Sequence, residues 1–248
     1  MKVATLQRRL AAIGKLHRAA NIPSPASMSN GLVSLTWRGI RRTKGVAQTA
    51  KMPILVADLR RMMTILPEGL TAIRDRSLLL LGFAGAFRRS ELVSLNVEDL
   101  DFQEEGLVVS LRRSKTDQEG EGRKIGVPYG SDPATCPYRS TRFWLKASSI
   151  QSGPLFRAID RFDRVGRDRL SDRSVALIVK RYTRAIGKDA SQFSGHSLRS
   201  GLVTAAVRAG ASERSIMAQT GHRSVTMVRR YIRDASLFMD NAAATTGL

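Results

Sequence analysis

Residues 196–231 decide the fold of this chain, and they read HSLRSGLVTAAVRAGASERSIMAQTGHRSVTMVRRY. The apolar residues after Ser197 recur at helical spacing until Gly210, which ends the helix. Ser212 is placed to cap a second helix, and Gly221 is placed to end it. A third helix follows that turn. The stretch therefore predicts three consecutive helices joined by short connections.

His196 and Arg199 lie three residues apart at the start of the first of these helices. At that spacing they are neighbours, and we expect them to lie away from the apolar stripe of Leu198, Leu202, Ala205, Ala206 and Ala209. A helix N-terminus favours anions, so the pair suits a phosphate group. Taken alone, the same two residues are equally consistent with surface positions that have no function.

Tyr231 follows His222 by nine residues, and Arg229, Arg230 and Arg233 flank it. A basic neighbourhood stabilises a phenolate and attracts a phosphodiester, and both effects suit a tyrosine nucleophile. The alternative, an ordinary amphipathic tyrosine on a charged helix, is the commoner fate of such a residue.

Upstream, Arg88 stands in the sequence GAFRRSEL of residues 85–92, where an apolar helix ends. Alternating apolar residues at 107–111 and 125–127 predict a β-hairpin with Lys115 at its tip, and residues 97–102 predict a third strand. Taken singly, Arg88 and Lys115 are more consistent with surface charge. The predicted fold is mostly α, with one small three-stranded antiparallel sheet.

The charge of the 248-residue chain is +20, which favours a polyanionic partner, above all nucleic acid. Residues 1–50 hold nine Lys or Arg and no acid, and two helices are predicted there, from Val3 to about Ala20 and from about Asn30 to Arg42. A solvated face is the alternative to a phosphate-facing surface, but no acid neutralises the cations. We therefore divide the chain into segments 1–50 and 51–248.

Several classes of protein are disfavoured. One cysteine, Cys136, rules out an intramolecular disulfide framework. The longest apolar run, residues 78–87, is about half the ~20 residues of a membrane-spanning helix, so no membrane partner is expected. Gly14-Lys15 and Gly187-Lys188 lack the rest of a phosphate-binding loop. Three histidines and one cysteine show no zinc spacing, so neither a metal nor another cofactor is expected.

In combination these motifs are far more specific. Arg-x-Ser-Glu-Leu from Arg88, a hairpin Lys115, His-x-Leu-Arg from His196, Gly221-His222 and Tyr231, in this order, resemble the catalytic domain of the tyrosine recombinase (phage integrase) family. The resemblance covers roughly residues 50–240. Residues 1–50 resemble the end of the family's helical core-binding domain, with about two of its four or five helices. The expected protein is an N-terminally shortened integrase.

The resemblance implies a role for each matching residue. Tyr231 would attack the scissile phosphodiester, Arg88 and Arg199 would clamp its oxygens, and His222 would add a hydrogen bond. Lys115 would protonate the departing 5′-oxygen, and His196 would assist proton movement at the tyrosine. No nucleotide is required. Ser200 stands where many members have histidine, and the motif register selects Arg88 over Arg89. The residues expected to bind DNA are Arg38, Arg41, Arg42, Lys44, Arg229 and Arg230.

The expected partners are double-stranded DNA, three further copies in a homotetramer on two DNA sites, and accessory DNA-bending proteins. The apolar segment 236–239 is expected to dock on a neighbouring copy, and the expected location is the cytoplasm, with the nucleoid of a bacterium. Three other functions stay open: a type IB topoisomerase, a remnant that binds DNA with little recombination, and a metal-dependent nuclease that uses Asp99, Asp101 or Asp160.

Overall fold

A computed structural model describes residues 1–47, 50–112, 122–222, 224–235 and 246, without the side chains of residues 227, 230 and 233–235. The chain divides into two compact units, Met1–Ala50 and Lys51–Leu248. The helices are α1 (Val3–Ala19), α2 (Gly31–Lys44), α3 (Val56–Thr64), α4 (Leu70–Ala84), α5 (Arg89–Ser94), α6 (Pro137–Ser148), α7 (Asp172–Ala185), α8 (Ser197–Arg208), α9 (Glu213–Thr220) and α10 (Val225–Ala235). The strands are β1 (Leu100–Phe102), β2 (Gly106–Leu111), β3 (Arg123–Pro128), β4 (Arg157–Ile159) and β5 (Val165–Arg169).

The first unit consists of α1 and α2, which contact each other. Asn30 caps α2, because its side-chain oxygen accepts hydrogen bonds from the backbone N–H groups of Leu32 at 3.0 Å and Val33 at 3.4 Å. Both helices end within two residues of the predicted bounds. Within the described residues, no helix of either unit is both long and apolar enough to cross a membrane.

Helix α4 lies at the centre of the second unit. Residues 78–81 are all buried, and α4 packs against α6 on one side and α8 on another. A helix enclosed by neighbours in this way is apolar on nearly every face, which explains the long apolar run in the sequence. The apolar residues between Leu70 and Ala84 recur at helical spacing in the sequence, which predicts a helix over that range, and the observed helix has the same bounds.

Strands β1, β2 and β3 form the predicted antiparallel sheet in that order. Leu107 pairs with Val127, and Val109 pairs with Ile125, with all four side chains buried. Leu111 pairs with Arg123, so β3 begins beside the end of β2. The alternation in the sequence therefore identified the strands and the face that they bury.

A second sheet, made of β4 and β5, was not predicted. Asp160 closes its turn by accepting hydrogen bonds from the backbone N–H groups of Phe162 and Arg164. Asp163 then accepts from the N–H groups of Leu70 at 2.8 Å and Thr71 at 3.3 Å, at the start of α4. Four of the five residues of β5 are exposed, so no alternation of apolar residues marks the strand.

Candidate active site

Five of the predicted site residues lie together in the second unit. Arg88 stands between α4 and α5, His196 and Arg199 stand at the start of α8, His222 follows α9, and Tyr231 lies on α10. Hydrogen bonds join His196 to Tyr231 and Arg199 to His222. Burial is the largest cause of the lowered pKa of His196, Arg199 and His222, and the charge of Arg88 contributes to all three, which places Arg88 in the same group.

Arg199 is buried, with 1% of its surface exposed. Its Nη1 donates to the backbone oxygen of Ala86 at 2.7 Å, and its Nη2 lies 3.1 Å from Nε2 of His222. Burial and then the charge of Arg88 lower the pKa of Arg199 to about 10, so the guanidinium remains charged at neutral pH. The sequence places Arg199 away from the apolar stripe of α8, but its side chain is nevertheless buried, and both α4 and α10 pack against α8.

Glu91 holds Arg88 from two sides. Nη1 of Arg88 lies 2.5 Å from Oε1 of Glu91, and the backbone N–H of Arg88 donates to Oε2 at 2.9 Å. The side chain of Glu91 is 3% exposed, so water competes little for this ion pair. The Arg88 side chain is thereby held in one direction, which a phosphate-binding group requires.

His222 is the first residue after a tight turn. Ser212 caps α9 by accepting a hydrogen bond from the N–H of Ser215, and Gly221 ends the helix with φ 65°, as the sequence predicted. Nδ1 of His222 lies 2.7 Å from Oγ1 of Thr220. Burial of the ring, followed by the charge of Arg199, lowers the pKa of His222 to about 4, so the ring is neutral at pH 7.

Tyr231 lies close to two histidine rings. Its hydroxyl is 2.6 Å from Nε2 of His196, and its ring centroid is 6.2 Å from that of His196 and 6.0 Å from that of His222. Desolvation and then the charge of Arg199 lower the pKa of His196, which favours the neutral ring. A neutral imidazole with its lone pair on Nε2 can accept the phenolic proton.

This arrangement of a tyrosine, two histidines and two arginines lies within residues 54–237, which match the sequence profile of the Phage integrase family. An integrase/recombinase xerD homolog of Selenomonas ruminantium is 42% identical over 245 residues, which are 97% of this chain and 71% of the relative.

The chain belongs to the phage integrase family.

This chain covers a different share of each of its other relatives. The tyrosine recombinase XerC of Syntrophus aciditrophicus is 33% identical over 167 residues, which are 66% of this chain and 50% of that protein. The XerH recombinase bound to its palindromic difH substrate shares the fold, with a TM-score of 0.62 at 14% identity over 98% of this chain and 72% of XerH. The Tn1549 transposon integrase, in complex with a circular intermediate DNA, has a TM-score of 0.56 at 15% identity over 93% of this chain and 80% of the integrase.

These similarities confirm three predictions from the sequence: the family, the mostly helical fold with a three-stranded sheet, and the function of a site-specific DNA recombinase. The chain is accordingly an enzyme that cleaves and rejoins DNA strands.

The site of the recombinase is strongly positive. Arg88, Arg199 and Arg123 all interact electrostatically with one another, and Glu91 is the acid that acts on Arg123 and Arg199. Among the described residues, no three His, Cys, Asp or Glu side chains come together to hold a metal ion. An excess of positive charge in a partly buried site suits a ligand that brings its own negative charge.

The structure describes only some of the remaining predicted residues. Lys115 and segment 236–239 lie outside the described residues. Arg229 donates from Nε to Glu213 on α9 at 3.1 Å, so an acid already accompanies this cation. Arg230 is the residue of α10 directly before Tyr231. The other predicted DNA contacts all belong to α2 of the first unit and are exposed: Arg38, Arg41, Arg42 and Lys44.

Three residues that shape the site received no role from the sequence. Glu91 belongs to the motif Arg-x-Ser-Glu-Leu, and its position three residues after Arg88 was a usable signal, since it can reach back to the start of the helix. Arg123 and Thr220 contact the turn of His222 from β3 and α9. No spacing in the sequence indicates those contacts, because they depend on how β3 and α9 pack.

Proposed function

We propose that this recombinase cleaves and rejoins DNA with Tyr231 as the nucleophile. The observation that carries the proposal is the 2.6 Å contact between the Tyr231 hydroxyl and Nε2 of His196, in a group that includes Arg88 and Arg199. The phenolic oxygen attacks the phosphorus, and the bond from phosphorus to the 5′-oxygen breaks. The products are a 3′-phosphotyrosyl link and a 5′-hydroxyl. Because one phosphodiester replaces another, the reaction consumes no nucleotide.

Two residues handle the protons of this step. Burial and then the charge of Arg199 lower the pKa of His196, which favours the neutral ring, and its Nε2 accepts the proton that leaves Tyr231. The 5′-oxygen needs a proton as it departs, and Lys115 is assigned to supply it. That assignment rests on the family resemblance, in which a lysine of the β-hairpin has this role.

Arg88 and Arg199 bind the non-bridging oxygens of the phosphodiester. A planar guanidinium suits this geometry, and its charge opposes the negative charge that develops in the transition state. Both side chains are already held by protein groups, Arg88 by Glu91 and Arg199 by Ala86. Their orientation therefore costs little entropy when DNA binds.

The first unit contributes the partial core-binding segment, and the second unit is the catalytic domain. Exposed cations at the end of α2 support the first assignment, because they attract any phosphate backbone. XerH and the Tn1549 integrase were solved with DNA, which supports double-stranded DNA as the substrate of this chain. Assembly as a homotetramer on two DNA sites, help from DNA-bending proteins, and a location in the cytoplasm belong to the same proposal.

The experiment that tests the function is the capture of a covalent adduct. The chain is incubated with candidate sites that carry a nick close to the cleavage position, so that the short strand diffuses away and the phosphotyrosine persists. Wild type forms an adduct whose linked peptide contains Tyr231, and Tyr231→Phe binds the DNA but forms no adduct. Tyr129→Phe, at an exposed position, is the matched control and retains the adduct. An adduct on the Tyr231→Phe protein would refute the proposal.

A further inference from the structure

Both ring nitrogens of His222 have partners, and the partners identify the tautomer. Nε2 lies 3.1 Å from Nη2 of Arg199, which is a donor without a lone pair. Nε2 must therefore accept this hydrogen bond. In a neutral ring the proton is then on Nδ1, which lies 2.7 Å from the Oγ1 atom of Thr220.

Thr220 independently requires the same tautomer. Its hydroxyl donates its single proton to the backbone oxygen of Ile216 at 2.7 Å, within α9. The hydroxyl oxygen can then only accept from Nδ1 of His222. Thr220 is fully buried, so water does not compete for either bond.

Arg123 holds the end of the helix that carries this pair. Its Nη1 donates to the backbone oxygens of Ala218 at 3.3 Å and Gln219 at 3.1 Å, and its Nη2 donates to that of Thr220 at 3.3 Å. These carbonyls have no partner of their own within α9, and a guanidinium satisfies three of them at once.

Gly221 allows this approach. With φ 65° it adopts the left-handed conformation, and a Cβ atom there would lie 2.7 Å from Cζ of Arg123. A larger residue would therefore displace the guanidinium from the carbonyls. The turn that presents His222 is thus shaped around Arg123.

We propose that Thr220 is a positioning residue that fixes His222 as the Nδ1–H tautomer, so that Nε2 accepts from Arg199 and orients its guanidinium for phosphate. Arg199 then has one acceptor for each terminal nitrogen, Ala86 for Nη1 and His222 for Nη2. The proposal rests on the proposed function, in which Arg199 binds the scissile phosphate. It gives His222 a task before DNA binds, in addition to any hydrogen bond that it donates later.

The tautomer is measured by nitrogen NMR on the full chain with ¹⁵N-labelled histidine. The chain has three histidines, and the His222→Gln spectrum assigns the signals of His222 by their loss. In the absence of DNA at pH 7, wild type and Thr220→Ser show the proton on Nδ1. Thr220→Val, which keeps the shape but removes the acceptor, shifts the population towards Nε2–H. A wild-type ring protonated on Nε2, or an unchanged tautomer in Thr220→Val, would overturn the proposal.

Thr183→Val is the matched control. Thr183 is also fully buried in a helix, α7, and its hydroxyl also donates to a carbonyl of its own helix, that of Lys180 at 3.1 Å. We expect this variant to leave the His222 signals unchanged. An equal change in Thr183→Val would show that removing any buried hydroxyl disturbs the ring, which would also refute the proposal.

Cleavage supplies a second measurement. Thr220→Val lacks one neutral hydrogen bond in the series from Thr220 through His222 to Arg199. We expect its adduct formation to be about two- to tenfold slower, whereas Thr220→Ser stays near wild type. An unchanged rate in Thr220→Val would refute the orienting role. The spectra are recorded without DNA, so a wild-type protein that forms no adduct at Tyr231 would contradict the proposed function and leave the tautomer result intact.

Discussion

The arginines of the two units are held in opposite ways. In α2, Arg38, Arg41 and Arg42 are exposed, and residues 1–50 contain no acid. In the second unit, Arg88 is held by Glu91, and Arg199 is held by a backbone carbonyl and a histidine. The arginine side chains of α2 have no fixed orientation, whereas neighbouring groups set the orientation of Arg88 and Arg199.

This difference corresponds to two ways of binding phosphate. Exposed cations release counterions from any DNA backbone, so they contribute affinity that falls with salt and depends little on geometry. Oriented, partly buried cations act on one phosphate and are effective because the site needs little reorganisation. We expect changes in α2 to alter binding and changes around Arg199 to alter the chemical step.

The largest expected effect comes from Arg199→Ala. Removal of one charged donor of this kind slows the chemical step by about 10²–10³-fold, while DNA affinity changes little. Adduct formation with saturating nicked DNA measures the rate, and Arg89→Ala is the control, because Arg89 is a half-exposed residue paired with Asp172. Equally slow cleavage by the two variants would show that orientation is unimportant.

Replacement of four cations in α2 tests whether the exposed charges contribute to DNA binding. The variant has Gln at four positions, Arg38, Arg41, Arg42 and Lys44. Its plot of log affinity against log salt is less steep by about 0.9 for each DNA phosphate that the helix no longer neutralises. If each of the four cations neutralises one phosphate, the slope changes by about 3.6, so the loss of affinity between 50 and 200 mM salt becomes about 10²-fold smaller than in wild type. Fluorescence anisotropy at several salt concentrations measures the slope. An unchanged slope would remove α2 from the DNA interface.

Gly221→Ala separates backbone strain from the contact with Arg123. A left-handed conformation costs a residue with a Cβ atom about 1–2 kcal/mol. Gly210→Ala is the control, since Gly210 has φ 76° and no atom near its added Cβ. Both variants lose stability in urea unfolding, but we expect only Gly221→Ala to slow cleavage as well. Equal cleavage rates would show that Arg123 is not needed at the turn.

The last prediction concerns how stability depends on pH. The pKa of His222 is about 4 in the folded chain against an ordinary value of 6.5, and that of His196 is lowered too. Folding therefore favours the neutral rings, so their contribution is complete above pH 6.5 and is lost as the pH falls towards 4. Urea unfolding at several pH values measures this change. His222→Gln should have the shallower pH dependence, and a dependence as steep as that of wild type would contradict the prediction.

The sequence was sufficient wherever a local pattern controls the structure. The bounds of α4, the cap Ser212 and the terminator Gly221 all depend on residues within one or two turns of the helix. The five residues that the structure brings together, Arg88, His196, Arg199, His222 and Tyr231, were likewise predicted from the order of the motifs. That prediction came from their resemblance to a known family, because each motif alone had an equally simple surface interpretation.

What the sequence did not predict depends on contacts between distant segments. Arg199 is buried because α4 and α10 meet α8, and its charge gave no sign of that. The β4–β5 sheet has exposed, charged strands whose turn is attached to α4 through Asp163. The proton on Nδ1 of His222 follows from a threonine and an arginine that only the packing of α8 and α9 brings together.

Tyr231 lies beside a separate small core. Val203, Val207, Ile216 and Val228 form their own cluster, apart from the main core around α4, and Tyr231 packs against it only in part. Among the described side chains of α10, Val228 is the one that is fully buried. Regions with few buried apolar contacts open at a lower free energy than the whole domain. We therefore expect the amide hydrogens of α10 to exchange with solvent sooner than those of α4, which hydrogen-exchange measurements on the full chain would test.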